Sequence, residues 1–447
     1  KNTAVASGSA YTRFILLVVG DVSATPKRDV PTLEKHVVDT NDTNDTEGTS
    51  TDFQDSADHD IGDYIYYELV GTIIDDTTEY AAYDTYKMVF NDTLSKGLDF
   101  KNTTEYPLTV VAEVDGTKQT IPATITYNQE SKTNYTIAGP TDITDPTDDY
   151  YEGESFTVTF DDVKTLYYYT DPDDPDTATA LTVTAGSTIT VHYYAYLNSD
   201  AVIGSAGNPN VAYLEYSNNP NSGGGGDLGE TPKDKNIVFT YELDVTKVIS
   251  GTSTGLNGAG FTLFKKVSSA PTLSTYSETF DGTYGGTAPT NVTKYYAKDA
   301  SDTIYYVDAT DSVYYKMIKT ITLDSAYEFA FTGIDDGTYL LVETKTPSGY
   351  NTIDPVPFTV TATHTNDNDP TALALTDLTV TDGNSSNPLN GTATTSTGKI
   401  AASIGNAAGA VMPSTGGMGT KIFYTLGGIL VVCAGVLLIV KRRMRNS

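Results

Sequence analysis

The sequence predicts an all-β protein, two β-sandwiches in tandem followed by a C-terminal transmembrane helix, and three observations predict it. The 447 residues are rich in Thr, Asp, Gly and Val, with 33 Tyr and no Trp, a composition that favours strands joined by polar turns. Apolar side chains recur with period two in one stretch after another, while helical periodicity is scarce. The segment 422–440, IFYTLGGILVVCAGVLLIV, carries no charge and is long enough to span a bilayer as a helix.

In chain order, residues 1–28 open without a secretory leader: the apolar run FILLVV is short and runs into strand-like sequence, so an exported protein would start further upstream. Residues 29–222 make a first β-rich block. Within it, 39–60 (DTNDTNDTEGTSTDFQDSADHD) reads as an acidic low-complexity loop, a solvated insertion whose aspartates lack the spacing and placed glycine of a calcium loop. Residues 217–235 are crowded with Gly, Pro and Asn, which sets a linker at 223–235. A second block fills 236–410, and 411–447 hold the membrane segment and the basic end KRRMR.

The net charge of −31 repels phosphate backbones and excludes nucleic acid as a partner. The single cysteine, Cys433, lies inside the membrane segment, so no disulfide and no thiolate metal site stabilises the rest. His36, His59, His192 and His364 show no ligand spacing and read as ordinary surface or strand residues; no metal and no cofactor is expected. With no nucleophile–base pair and no phosphate loop, an enzyme acting on other molecules is not expected either.

FTYELDVTKVIS, residues 239–250, places Phe239, Tyr241, Leu243, Val245 and Lys247 on one face, so an ammonium group continues an apolar stripe. KIAASIGN does the same for Ile400, Ala402, Ile404 and Asn406. In the first block PTLEKHVV aligns Leu33, Lys35 and Val37; YKMVFNDTLSKGLDF aligns Tyr86, Met88, Phe90 and Asp92; VAYLEYSNNP aligns Ala212, Leu214, Tyr216 and Asn218. Read from the residues alone, these are buried ion pairs with amide bystanders as readily as reactive groups.

GTYLLVETKTPSGY resembles the E-box YxLxETxxPxGY at Tyr339, Leu341, Glu343, Thr344, Pro347, Gly349 and Tyr350, and LNGAGFTLFKK resembles the early-strand signature of Cna B-type domains. FNDTLSKGL and AVIGSAGNPNVAYLEYSNNP resemble the middle domain of the SpaA/FimA-type backbone pilins. VMPSTGG resembles the LPxTG cell-wall sorting signal, with Met412 for leucine, then Pro413, Ser414, Thr415 and Gly416. VVGDVSATPKRDV partly resembles the pilin motif WxxxVxVYPK: Val22, Pro26 and Lys27 match, while Val18, Ala24 and Thr25 depart from it.

The chain thus resembles the major pilins of Gram-positive bacteria, which implies Ig-like, Cna-type sandwiches stapled by intramolecular isopeptide bonds. By that resemblance Lys247 joins Asn406 with Glu343 as catalyst, and Lys35 joins Asn218 with Asp92 as catalyst, Asn219 being the rival amide. Burial would favour this chemistry by lowering a lysine pKa and raising a carboxyl pKa until amine and acid are neutral. Each link would remove unfolded-chain entropy equivalent to roughly 5 kcal/mol, by analogy with a disulfide. The resemblance further implies sortase transfer of the Thr415 acyl group onto Lys27 of the next identical subunit, final attachment to peptidoglycan by a housekeeping sortase, and membrane contact only before sorting. A shaft subunit at the cell surface is the expectation; the alternative is a wall-anchored adhesin or minor pilin, not polymerised through Lys27.

Overall fold

In a computed structural model, the structure describes residues 29–39, 53–127, 135–137, 155–171, 174–221, 227–365, 372–383 and 388–409. Lys27, the residues Met412, Pro413, Ser414, Thr415 and Gly416, and the expected membrane helix lie outside them. Among the described residues the fold is all-β, helix being confined to Thr77–Ala81 and two single turns. No described helix is long and apolar enough to cross a membrane.

The first sandwich packs two sheets. One places Thr32–Val38 beside Tyr64–Thr72, and that strand beside Thr188–Leu197. The other places Met88–Leu94 beside Asn208–Ser217, with Ala212 opposite Asp92. Alternation drives this packing. In Thr188–Leu197 every second residue from Ile189 to Leu197 is fully buried, and the core between the sheets is dominated by Tyr67, Tyr86, Phe90, Phe156 and Tyr193.

The second sandwich faces a four-stranded sheet against an eight-stranded one. In the smaller sheet the first strand, Tyr241–Ile249, lies parallel to the last, Lys399–Asn406, with Ile249 opposite Asn406. Such a neighbourship needs the whole domain as its connection, because parallel strands cannot be joined by a tight turn. The larger sheet carries Gly337–Lys345 between Gly260–Lys266 and Val356–His364.

Two expectations are corrected at the junction. The loop expected over 39–60 is strand from Phe53 to Gln54 and from Ser56 to Asp58, and Asp58, His59 and Asp60 are buried rather than solvated. The expected linker and boundary are crossed by pairing: Leu228–Glu230 and Asp234–Phe239 both bond to Asn208–Ser217 and complete the first sandwich. Thr240 alone separates Phe239 from the opening strand of the second sandwich. Its carbonyl accepts from Gly204 N–H at 3.0 Å, and its hydroxyl donates to the Ile334 carbonyl at 3.3 Å.

Contacts between the sandwiches follow. Ile61 N–H donates to the Gly333 carbonyl at 2.9 Å. Gly333 has φ +78°, and a Cβ there would meet Ile61 at 2.4 Å, so both its backbone and its neighbour require glycine. Lys265 of the second sandwich is buried between Asp60 of the first, at 2.9 Å, and Asp335, at 3.0 Å.

Candidate functional site

In the second sandwich the predicted stripe is inside: Phe239, Tyr241, Leu243, Val245 and Lys247 are all buried, as are Ile400, Ala402, Ile404 and Asn406. The opposite face is not simply solvent, since Thr240 and Glu242 are also buried. Lys247 and Asn406 come from the parallel pair of first and last strands, and Glu343 enters from the facing sheet. The three predicted residues meet. The Lys247 amine contacts Asn406 Oδ1 and lies 3.3 Å from Glu343 Oε1, with no side-chain exposure at either end of the ion pair.

The orientation of the Asn406 amide matters for chemistry. Its Nδ2 donates to Glu343 Oε1 at 2.8 Å, to Glu343 Oε2 at 3.0 Å and to the Asn351 carbonyl at 3.0 Å. The prospective leaving nitrogen is therefore held against the carboxyl, and the amide oxygen faces the amine. Glu343 is itself fixed, Oε2 accepting from Ile353 N–H at 3.1 Å and from the Thr346 hydroxyl at 3.3 Å. Burial lowers the Lys247 amine below its ordinary 10.5, against the raising pull of Glu343, and the Phe261 ring lies 5.1 Å from it.

The rest of the E-box serves this geometry. Tyr339 and Leu341 are wholly buried on the Glu343 strand, and the Tyr339 hydroxyl donates to the Asp335 carbonyl at 2.8 Å. The Thr344 hydroxyl lies 3.2 Å from that of Thr262. Past the strand, Pro347 accepts from Tyr350 N–H at 3.2 Å and Gly349 sits at φ +87°, which closes the turn. Tyr350 bridges to Ala408, beside the end of the asparagine strand.

The first sandwich holds a second group of the same chemical kind. Lys35 and Asp92 are each wholly buried and in contact across the two sheets. The Lys35 amine donates to the Tyr193 hydroxyl at 2.7 Å, and that hydroxyl donates to Asp92 Oδ2 at 3.0 Å. The stacked rings of Tyr67 and Tyr193, 5.2 Å apart, flank the amine. Burial dominates both partners: it lowers the Lys35 amine and raises the Asp92 carboxyl, each opposed by the other's charge. This favours a neutral amine beside a protonated acid.

The amide at this group is not the expected one. Asn218 lies beyond the strand's last residue, its N–H bonded to the Asp227 carbonyl, and Asn219 bonds to Asp227. Asn218 lies six residue steps beyond Ala212, which faces Asp92; at about 3.3 Å per step that is roughly 20 Å of strand. Asn210 is present instead, wholly buried, its Nδ2 donating to the Tyr193 hydroxyl at 2.8 Å. It belongs to the same stripe as Ala212, Leu214 and Tyr216, at the other end. Parity was informative in the sequence, but it marked both ends alike.

Of the histidines expected at the surface or in strands, His59 departs, being buried and outside any strand, whereas His364 ends the strand Val356–His364 and is held by Ser56 at 2.7 Å with Asp39 at 3.5 Å and Asp58 at 3.7 Å.

Comparison with known proteins adds the following. Residues 241–379 match the family model described as "SpaA: Prealbumin-like fold domain". A segment of 84 residues is 38% identical to the trypsin-resistant surface T6 protein of Streptococcus pyogenes serotype M6, covering 17% of this chain and 16% of that relative. Among solved structures, the T6 backbone pilin of S. pyogenes is 18% identical, with TM-score 0.42 over 86% of this chain and 71% of that chain. The group B streptococcus pilus 2b backbone protein is 19% identical, with TM-score 0.41 over 80% and 97%. Asn406 lies beyond the matched residues, whereas the strands of Lys247 and Glu343 lie within them.

Proposed function

We propose that the chain is the shaft subunit of a covalently polymerised pilus on a Gram-positive cell, built of Ig-like sandwiches that staple themselves. The observation that carries the reading is the Lys247–Asn406–Glu343 group, buried between the first and last strands of one domain. The neutral Lys247 amine attacks Asn406 Cγ. The Cγ–Nδ2 bond breaks, Glu343 relays the amine's proton to Nδ2, and ammonia leaves. One C–N bond forms and one breaks, nothing is oxidised, and Glu343 ends as it began. The reaction occurs once per molecule. In the first sandwich Lys35 would join Asn210, with Asp92 as the relay.

Sorting and polymerisation complete the reading. Thr415 is the acyl donor to sortase, Lys27 of the next subunit the acceptor, and peptidoglycan the final anchor. The resemblance of the MPSTG sequence, the uncharged segment and the basic end to a sorting signal supports this. The decisive measurement is the intact mass of the folded chain: two bonds predict the loss of two ammonia molecules, and an unchanged mass leaves two buried ion pairs. Polymerisation is tested separately. Lys27→Ala should abolish a high-mass ladder in sortase-bearing cells, whereas an adhesin would show no ladder to lose.

A further inference from the structure

The junction between the sandwiches gathers more acid than base. Asp39, Asp58, Asp60 and Asp63 of the first sandwich gather with Asp335 and Asp336 of the second, and the cationic groups against them are Lys265, His364 and, paired with Asp63, His59. Lys265 is shared by Asp60 and Asp335. His364, raised to about 10 chiefly by bonds to Asp39 and Asp58 acting against burial, stands as an imidazolium between those two. That leaves a surplus of buried negative charge, which a protein of this burial must neutralise.

Three of these residues, Asp58, Asp335 and Asp336, offer one carboxylate oxygen each within 4.8 Å of one another. That is the span of oxygens around a calcium ion, with each bond at about 2.4 Å. Two buried polar atoms at this spot, Asp58 Oδ2 and the Tyr241 hydroxyl, make no hydrogen bond of ordinary geometry among the described residues, and the Tyr241 hydroxyl is left with only an ill-formed contact to the Asp58 carboxyl. Asp58 is 4% exposed and Tyr241 is 0% exposed. The charges acting on the Tyr241 hydroxyl are Asp58, Asp335 and Asp336, so it faces the same three carboxyls. Burial and mutual repulsion also raise the Asp335 and Asp336 carboxyls, Asp336 to about 8. The companion trio Asp39, Asp58 and His364 is explained by its ion pairs, whereas this one is all oxygen.

We propose that Asp58, Asp335 and Asp336 form a divalent-cation site of calcium type that joins the two sandwiches. Oxygen donors alone suit a hard cation, and the ion's remaining ligands would be water. Asp335 can share its oxygen between Lys265 and the ion, because a carboxylate oxygen has two lone pairs. Since one ligand comes from the first sandwich and two from the second, binding would couple their movements.

The test is calorimetric titration of calcium chloride into the chelator-treated full chain. One site is expected, weakened at least tenfold by Asp58→Asn and by Asp336→Asn, both of which leave the Lys265 bridge intact. Hydrogen exchange of the unsubstituted chain supplies a readout free of any folding defect: calcium should slow exchange at residues 56–60 and 333–337. No binding up to about 10 mM, above the range of extracellular calcium modules, overturns the proposal. So does unchanged affinity in both variants, or protection confined to other segments.

Discussion

Ile249 and Asn406 stand opposite each other on parallel neighbouring strands, and Lys247 lies two residues before Ile249 on the same stripe of side chains. The lysine therefore reaches along the sheet to the amide rather than across the core, and the carboxyl of Glu343 comes from the other sheet to meet both. If this group reacts, Asn406→Ala should show one ammonia loss fewer than the unsubstituted chain, each measured against the mass of its own sequence, and should be less stable by roughly 5 kcal/mol in the loop-entropy estimate. Mass spectrometry and denaturant unfolding check the two halves. Glu343→Gln keeps the shape but cannot relay a proton, so it should fold with the bond unformed; a fully bonded Gln variant would contradict the assigned role.

For the first sandwich the discriminating pair is Asn210→Ala against Asn218→Ala. Asn210 shares the Tyr193 hydroxyl with Lys35, whereas Asn218 lies outside the group. The Asn210 substitution should show one ammonia loss fewer against the mass of its own sequence and yield separate Lys35 and strand peptides on digestion. Asn218→Ala should remain cross-linked; the reverse outcome would restore the expectation drawn from sequence.

The unbonded Asn406→Ala variant should also differ in its pH dependence. Burial lowers the folded-state pKa of Lys247 below 10.5. Between that lowered value and 10.5 the unfolded chain binds more protons than the folded one, so stability rises with pH through this window. In the bonded protein the amine no longer titrates. Subtracting the two urea-derived stability curves should isolate a slope that only the variant has.

Lys265 offers a test of the junction. It is 2% exposed and bonded to carboxylates of both sandwiches. Lys265→Met would strand two buried carboxyls, at a cost of about 3–5 kcal/mol. Thermal unfolding should register it, with Asp60→Asn as a milder companion because the Lys265–Asp335 bond remains.

The second sandwich was legible in the sequence because its signals are local: the alternation around Lys247 and Asn406, and the turn Pro347–Tyr350, act over a few residues. Glu343 could be placed on its strand in the same way. Tyr193 and Asn210 could not be singled out, because their importance comes from strands more than a hundred residues apart in the chain from Lys35 and Asp92 meeting across a core. Asn210 and Asn218 share parity, and only register decides between them. The segment around Asp58 failed for a related reason. Its charges read as solvated, yet they are buried by a partner surface, Asp335 with Lys265, that lies over two hundred residues downstream.

The single residue Thr240 connects Phe239, paired in the first sandwich, to Tyr241, paired in the second, and it is bonded to both. With no spare length between the lobes, any bend must rupture ladder bonds on one side or the other. A chain so wired would resist flexing as a beam does, and a load applied at one end would reach the far lobe without first taking up slack.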